Sequence, residues 1–539
     1  MTRSGFITRS RGRRRPPYAG DGTVPSAAFV GVVLAALALA LALRLARGDL
    51  RPMHHDEANQ AVKFGELLET GDYRYDRHDH HGPTLYYLTL PAAWLRGQHT
   101  LAALDERTLR AVPAVFGAGL LLLLLPMSRG MGRGAVAVAA MLAAVSPVMT
   151  FYSRFFIQES VFVFFSVGFL AAAGSFAESR RARWAIGAGA FAGLAYATKE
   201  TSVVVLPAAL AALALAWMTT PEEPWTTRDS TSRGQVAVAA AVAGVAAAVV
   251  VAFVFFSSFF RYPGGLLEST RAFATYVDRG VGQGPHTQPF FYYLGLLSFS
   301  SSGGLTWSEG AIVALAVVGI AAAALRGTGF WPRYVGAYTV ITALVFSALR
   351  YKTPWNLLPC YAGAVVMAGY GTVTLLVVLR SRPARALLAA GLVAALSHLG
   401  VQNWRANFRY PADPRNPYVY AQTVPDFLRM IRRIADVSAV HPDGARMLVK
   451  VIAGPYEQWP APWYLRHMSR VGYWVSAAAA GRVDDATVVI AATDQADAVG
   501  ASLGDRYVQE YYGLRPDVVL TLFIERGAWD RFIASRDSP

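Results

Sequence analysis

Eleven apolar runs, separated by polar segments, occupy most of the chain between residues 27 and 401. A helix that crosses a bilayer needs about 20 predominantly apolar residues. The chain is 54% hydrophobic and only 16% charged, whereas a soluble domain carries about a quarter charged residues. We therefore predict an all-α polytopic membrane protein with about 11 transmembrane helices. The predicted spans are Ala27–Leu43, Ala111–Pro126, Ala135–Thr150, Phe155–Phe176, Ala185–Ala197, Ser202–Trp217, Val236–Phe256, Ala311–Leu325, Tyr334–Leu349, Leu357–Leu379 and Ala384–Val401.

The arginines between these runs predict which side of the membrane each loop faces. Cytoplasmic loops carry an excess of Lys and Arg, and the tail before the first run is rich in arginine. We expect that run to be a retained anchor, because it is long for the core of a signal peptide. The resulting orientation predicts a basic cytoplasmic tail at 1–25, a transmembrane domain at 26–402 with outer loops at 46–110 and 257–310, and an extracytoplasmic domain at 403–539.

The net charge of +15 does not indicate nucleic-acid binding. Most arginines lie in the tail or between apolar runs, and no soluble stretch shows a basic stripe with interleaved aromatics. The single cysteine, Cys360, lies in an apolar run and cannot form an internal disulfide. We expect a multi-pass protein of the cytoplasmic membrane, in contact with membrane lipids and without a nucleic-acid partner.

The segment from residue 403 onward has a different character. Short β-rich runs alternate with helix-like stretches, which is typical of a small α/β domain. No glycine-rich phosphate loop precedes a helix there, so no nucleotide site is predicted. Its aromatic cluster favours docking of the domain on the membrane, with acceptor binding as the alternative. The β-rich runs are Met447–Ala453, Thr487–Ala492 and Val518–Ile524, a helix is predicted at Val424–Ala435, and the aromatics are Tyr456, Trp459, Trp463, Tyr464, Tyr473 and Trp474.

Two clusters of ionisable residues follow the first span. One reads His54-His55-Asp56-Glu57, and the other reads His78-Asp79-His80-His81. Charge next to a membrane is costly and usually functional, although acids in such loops can simply be solvated. A carboxylate here could act as a general base toward an acceptor hydroxyl or amine. It could instead bind a metal together with the imidazoles.

Positive charge at the outer ends of spans is a second signal. Only four residues of the chain are lysine, and two of them, Lys199 and Lys352, lie at predicted outer span ends, as does Arg154. The positive-inside rule disfavours this placement, and a phosphate held at the membrane surface would explain it. The alternative is that these side chains only extend to the interface.

Six motifs follow one another along the chain. They are Asp-Glu at 56–57, Gly-Pro-x-Leu-Tyr-Tyr at 82–87, Ser-Arg at 153–154 with a later acid, Thr-Lys-Glu at 198–200, His-x-x-Pro-Phe-x-Tyr-Tyr at 286–293 and Lys-Thr-Pro-Trp-x-x-x-Pro at 352–359. With these motifs the chain resembles the GT-C membrane glycosyltransferases of the protein O-mannosyltransferase and aminoarabinose transferase superfamily. It is most similar to the branch of flippase-activity-associated membrane proteins, which begin with a like His-His-Asp-Glu-Ala loop.

The resemblance implies a polyprenyl-phosphate-linked sugar as donor and assigns roles to residues. Asp56 matches the catalytic acid, Glu159 matches the second acidic position, and Glu57 is a further catalytic candidate. His81 stands where relatives have lysine, and it joins Arg154, Lys199 and Lys352 as a candidate for binding the donor phosphate. Asp79, His80 and His286 fall where some relatives bind a divalent metal, and metal dependence stays open.

Two functions remain open at this point. One is an inverting glycosyltransferase that works on the outer face, with Asp56 as general base and a protein, lipid or glycan as acceptor. The other is a non-catalytic accessory protein that binds polyprenyl-linked sugars and assists a flippase. A secondary transporter is disfavoured, because the ionisable groups lie at span ends and no internal repeat is seen.

Overall fold

The computed structural model describes residues 24–77, 81–220, 230–272, 286–325 and 328–536. Most of the basic tail and the residues His78, Asp79 and His80 lie outside the described residues. The helices are Ser26–Leu45, His55–Thr70, Thr84–Leu95, Glu106–Leu123, Ser128–Met131, Arg133–Val145, Pro147–Ser153, Glu159–Ser179, Ala182–Tyr196, Ser202–Thr219, Ser230–Phe256, Tyr292–Ser298, Gly310–Ala324, Phe330–Ala348, Leu358–Val378, Arg382–Trp404, Pro425–Val440, Ala461–Tyr464, Ala477–Ala480, Thr493–Leu503 and Arg526–Arg536. Short helical turns lie at Leu125–Met127, Pro354–Leu357, Arg405–Arg409, Gly444–Arg446 and Gly504–Arg506.

Every predicted span falls on helical residues, but fewer than eleven of the described helices are both long and apolar enough to cross a membrane. Within the described ranges, seven helices are long and apolar enough to cross a membrane, or eight if Arg133–Val145 and Pro147–Ser153 form one bent span. Ala182–Tyr196 and Gly310–Ala324 have 15 residues each, which is about 22 Å of helix against a hydrocarbon core of about 30 Å. The protein is thus helical and multi-pass, while the count of eleven spans is not confirmed.

Close approach between helices depends on small residues. A Cβ atom on Gly319 would lie 2.1 Å from the carbonyl oxygen of Met367, and one on Gly371 would lie 2.1 Å from that of Leu315. Only glycine permits backbones to come this near, as in other membrane helix pairs. This contact fixes the helix Leu358–Val378, whose preceding loop carries Lys352.

Segments predicted as outer loops meet on one side of the helices, which we call the loop face. The backbone N–H of Gly82 donates to the carbonyl oxygen of Thr198 at 3.1 Å, and the N–H of Lys352 donates to that of His286 at 2.9 Å. A hairpin of β1 (Ser300–Ser302) and β2 (Leu305–Trp307) belongs to the same predicted outer loop as His286. These contacts require the loops to lie on the same side of the helical part.

The C-terminal segment contains a five-stranded mixed sheet. Its strands are β3 (Val449–Ile452), β4 (Val471–Trp474), β5 (Val488–Ala492), β6 (Tyr507–Arg515) and β7 (Val518–Glu525), in the order β4-β3-β5-β7-β6. The strand β3 is parallel to β4 and β5, while β7 is antiparallel to β5 and β6. The predicted strands correspond to β3, β5 and β7, and the predicted helix corresponds to Pro425–Val440. The strands β4 and β6 were not predicted.

The sheet unit is anchored on the first loop after the first span. Nε1 of Trp463 donates to a carboxylate oxygen of Glu106 at 2.8 Å, and the hydroxyl of Tyr464 accepts the N–H of Met53 at 2.8 Å. Trp463 is fully buried. Part of the aromatic cluster therefore docks the domain on the protein's own loops.

Candidate active site

A histidine cap holds the helix His55–Thr70 in place. Nδ1 of His54 accepts the N–H of Asp56 at 3.0 Å, so Nδ1 carries no proton. Nε2 then donates to the carbonyl oxygen of Tyr420 at 3.0 Å. This pairing defines the neutral tautomer of His54, because both ring nitrogens would be donors in the charged form. The cap fixes where Asp56, in the first turn, projects from the helix.

Glu57, the neighbour of Asp56, forms a buried ion pair with Arg110. Its two carboxylate oxygens accept from Nε and Nη2 of Arg110 at 2.7 Å each, and from the N–H groups of Phe156 at 2.8 Å and His54 at 3.0 Å. Burial opposes ionisation, but the charges of Arg110 and Arg51 outweigh it and lower the pKa of Glu57 to about 2. With a side chain 0% exposed, Glu57 cannot reach an acceptor. Glu57 therefore serves as a buried ion-pair partner in this structure, and its catalytic role stays a prediction.

Arg154 is likewise committed to the backbone. Nη1 donates to the carbonyl oxygens of Leu43, Arg44 and Ala46 at 2.6–3.0 Å, and Nη2 donates to that of Arg47 at 3.0 Å. These carbonyls end the first span, where a helix lacks its own donors and favours a cation. Arg154 therefore binds the carbonyls of a helix end in this structure, and its role as a phosphate ligand stays a prediction.

Asp56 keeps its carboxylate accessible on the loop face. Its side chain is 40% exposed, and its charge acts on His55, His286 and Tyr420. Burial lowers the pKa values of His55 and His286, and the charge of Asp56 partly offsets both shifts. Burial raises the pKa of Tyr420 to about 12. His55, His286 and Tyr420 are thus neutral neighbours of Asp56 at ordinary pH, and the charge of Asp56 also acts on Arg515.

Lys199 and Glu159, predicted as phosphate ligand and second acid, form an ion pair with each other. Nζ of Lys199 also donates to Oδ1 of Asn356 at 3.3 Å. Both side chains are nearly buried, and Oε2 of Glu159 has no hydrogen-bond partner within the described residues. Together with Trp355, the three residues line a small cavity.

His81 gains positive charge from a neighbouring acid. Its Nδ1 lies 3.2 Å from Oε2 of Glu200, whose side chain is 6% exposed. Burial opposes the charged form, but Glu200 outweighs it and raises the pKa of His81 above its usual range. Imidazole is only partly charged at neutral pH, and this pairing restores cationic character where relatives have lysine.

Lys352 and His286 are held by neighbouring loop groups. Nζ of Lys352 donates to the carbonyl oxygens of Gln288, at 3.0 Å, and of Leu349, and burial lowers its pKa. Nδ1 of His286 is hydrogen-bonded to the hydroxyl of Tyr420. An ammonium has three donors, so Lys352 retains one N–H beyond its two carbonyl partners.

The resemblance leaves a divalent metal open, with Asp79, His80 and His286 as candidate ligands. Asp79 and His80 lie outside the described ranges. Among the described residues, no group of three or more His, Cys, Asp or Glu that could bind a metal occurs. The described residues therefore do not test the metal site.

Sequence reasoning missed two residues of this region. Tyr420 lies in the linker before the sheet unit and binds both His54 and His286. Arg515 ends β6 and contacts the backbone of Tyr456 at the loop face. Neither residue stands in a motif, so no local signal could have indicated them.

Comparisons with known proteins agree with this architecture. Residues 89–248 match the family model of dolichyl-phosphate-mannose-protein mannosyltransferase. The structure is similar to that of apo ArnT from Cupriavidus metallidurans, with a TM-score of 0.58 and 16% identity over 92% of this chain and 97% of ArnT. The chain has the GT-C fold.

Other solved structures extend this similarity. ArnT bound to undecaprenyl phosphate gives a TM-score of 0.57 at 15% identity, again over 92% of this chain and 97% of ArnT. AglB from Archaeoglobus fulgidus, in complex with an inhibitory peptide and a dolichol-phosphate, gives 0.56 at 12% identity over 90% of this chain and 72% of AglB. No curated protein matches the sequence. The predicted resemblance to GT-C membrane glycosyltransferases is confirmed, and with it a polytopic membrane architecture.

Proposed function

We propose that this GT-C protein is a glycosyltransferase that moves a sugar from a polyprenyl-phosphate donor to an acceptor on the outer face of the membrane, with Asp56 as the general base. The observation that carries the proposal is a contrast among the three predicted acids. The side chain of Asp56 is 40% exposed, whereas those of Glu57 and Glu159 are 0% and 6% exposed and ion-paired. Asp56 is the one of these acids that an incoming acceptor can reach.

The reaction follows from this placement. An acceptor hydroxyl gives its proton to the carboxylate of Asp56 as its oxygen bonds to the anomeric carbon of the donor sugar. The bond between that carbon and the phosphate oxygen breaks, and the polyprenyl phosphate leaves with the electron pair. Attack opposite the leaving group inverts the anomeric configuration. No nucleotide takes part in this transfer.

The leaving phosphate requires positive charge, which Lys199, His81 and Lys352 supply in this proposal. Glu200 raises the pKa of His81 and so favours its charged form, and Lys199 stands beside Glu200 in the same Thr-Lys-Glu segment. Fixed donors aimed at developing charge are among the largest contributions to catalysis. The lipid ligands of the ArnT and AglB structures, undecaprenyl phosphate and dolichol-phosphate, support a donor of this class.

The proposal includes the membrane topology predicted from sequence. Eleven spans with the N-terminus in the cytoplasm would place the loop face and the sheet unit outside the cytoplasmic membrane. Three helices that are not among the seven or eight long apolar ones, Ala182–Tyr196, Gly310–Ala324 and Phe330–Ala348, still coincide with predicted apolar runs. In this proposal the bent pair Arg133–Val145 and Pro147–Ser153 forms one span.

The test is transfer by purified Asp56→Asn protein in nanodiscs, supplied with a panel of radiolabelled polyprenyl-phosphate sugars and a membrane extract as acceptor. Loss of a general base typically costs about 10²- to 10⁴-fold in rate. Asp49→Asn is the matched control, because Asp49 is an exposed acid of the same loop that pairs with Arg107 at 2.9 Å. Parent-level transfer by Asp56→Asn would remove the base assignment. Lipid binding by a parent protein that transfers no sugar would favour the accessory role instead.

A further inference from the structure

The sheet unit brings an arginine beside the first turn of the helix that carries Asp56. Nη2 of Arg515 donates to the carbonyl oxygen of Tyr456 at 2.5 Å. The same oxygen lies 3.3 Å from Nδ1 of His55, the residue before Asp56. The guanidinium group therefore lies near His55, and the charge of Asp56 acts on it, although Arg515 is distant from both in sequence.

A β-bulge sets the position of this arginine. Gly513 pairs with Val519, but Arg515 pairs with Val518, so Leu514 is the extra residue on β6. Bulges re-aim side chains and are frequent beside active sites. The carbonyl oxygen of Leu514 accepts the N–H of Val424 at 3.0 Å, which ties the bulge to the linker that also carries Tyr420.

The guanidinium of Arg515 is incompletely satisfied. Its Nε is buried and has no hydrogen-bond partner within the described residues. Burial lowers the pKa of Arg515, and the charges of Glu457 and Asp56 oppose that effect. A planar guanidinium with unused donors is suited to bind a phosphate or carboxylate through two parallel hydrogen bonds.

Three other cations near the loop face already have protein partners. Arg154 donates to carbonyls at the end of the first span, Lys352 donates to two loop carbonyls, and Lys199 is paired with Glu159. Arg515 donates to the carbonyl oxygen of Tyr456, and its Nε has no partner among the described residues. An oxyanion near Asp56 would satisfy that atom.

We propose that Arg515 is a substrate-binding residue that holds an oxyanion of the donor or the acceptor, so that the C-terminal sheet unit forms part of the active site. This inference rests on the proposed function for its substrate class. The ring of Tyr456, 75% exposed, stacks on His55 with ring centroids 5.9 Å apart. An exposed aromatic face beside a guanidinium is the kind of surface that accepts a sugar ring next to a charged group.

The experiment compares full-length parent, Arg515→Gln and Arg515→Lys proteins in nanodiscs. Arg531→Gln is the control, because Arg531 is an exposed arginine on the last helix of the same unit. Equilibrium binding of undecaprenyl phosphate is measured first, and KM for the acceptor is measured next at saturating donor. Thermal unfolding of each variant shows whether it is folded, and Arg515→Lys, which keeps the charge, replaces Arg515→Gln if that variant is unstable.

We expect Arg515→Gln to weaken the binding of either undecaprenyl phosphate or the acceptor about tenfold or more, the usual cost of a lost charged hydrogen bond. Arg531→Gln should bind both at the parent level. Weaker lipid binding assigns the oxyanion to the donor. Parent-level lipid binding with a raised KM and an unchanged kcat assigns it to the acceptor. Parent-level values in both measurements overturn the proposal. The lipid measurement needs no turnover, so it reports on Arg515 even if Asp56→Asn proves active.

Discussion

Nζ of Lys199 and Oε1 of Glu159 form an ion pair that joins a predicted phosphate ligand to a predicted catalytic acid. Their side chains are 7% and 6% exposed, so the pair is largely shielded from solvent. Glu159 begins the helix Glu159–Ser179, while Lys199 follows the helix Ala182–Tyr196. The pair consequently links two helix ends at the loop face. Its contribution to protein stability can be measured separately from its contribution to lipid binding.

Removing one partner of this pair is expected to destabilise the protein, and removing both is not. Lys199→Met leaves Glu159 unpaired, which costs about 3–5 kcal/mol for a buried pair. The double variant Lys199→Met/Glu159→Met replaces the pair by apolar groups, which is often neutral. Thermal unfolding in detergent measures the difference. The double variant should nevertheless bind undecaprenyl phosphate less well, and parent-level binding would mean that Lys199 serves structure alone.

Substitutions of the neighbouring acids Asp56 and Glu57 are expected to differ in their effects, with loss of transfer in Asp56→Asn and loss of stability in Glu57→Gln. Glu57→Gln leaves Arg110 buried without its carboxylate, and we expect a loss of about 3–5 kcal/mol in the free energy of unfolding. Asp56→Asn changes an accessible side chain and should unfold like the parent, within about 0.5 kcal/mol. Chemical denaturation alongside the transfer assay checks both. A stable but inactive Glu57→Gln protein would contradict the structural assignment.

Binding of the donor phosphate is expected to weaken at high pH. Glu200 raises the pKa of His81 above the ordinary 6.5, so a larger fraction of His81 than of a free histidine is charged at neutral pH. The stabilisation from its pairing with Glu200 is fully present below about pH 6.5 and is lost as the pH rises through the raised pKa. Titration of undecaprenyl phosphate binding between pH 6 and pH 9, about the range in which histidine titrates, measures this. In His81→Lys, the binding affinity should change less with pH than in the parent. The same pH dependence in that variant would exclude His81 as the group responsible.

Cysteine labelling tests the orientation. Cys360 is buried, and its Sγ lies 2.9 Å from the carbonyl oxygen of Leu357, so it should not react in intact cells. A cysteine at Thr219, the exposed end of the helix Ser202–Thr219, should resist an impermeant thiol reagent. One at Ala478, exposed on the sheet unit, should react. The reverse pattern would place the loop face in the cytoplasm.

The helices of this protein could be predicted from sequence because hydropathy is a local property. Each predicted span falls on a helix, and three strands of the sheet unit stand on β-rich runs. The strands β4 and β6 were missed because their residues are polar or half-buried: β6 is Tyr507–Arg515, with alternating exposure, at the sheet edge. Pairing with β7, to which β6 is joined by the two-residue turn Pro516-Asp517, makes this half-exposed segment a strand.

The sequence by itself determined the apolar helices, the GT-C resemblance and the choice of Asp56 as a candidate base. Apolar runs and short motifs consist of neighbouring residues, so they can be recognised without the fold. Only the tertiary structure decided which charged residues are free to act. Arg110 engages Glu57, the end of the first span engages Arg154, and Arg515 arrives from the last part of the chain. Whether a charged side chain is paired within the protein or available to a substrate depends on residues that are distant in sequence. Only folding brings those residues together.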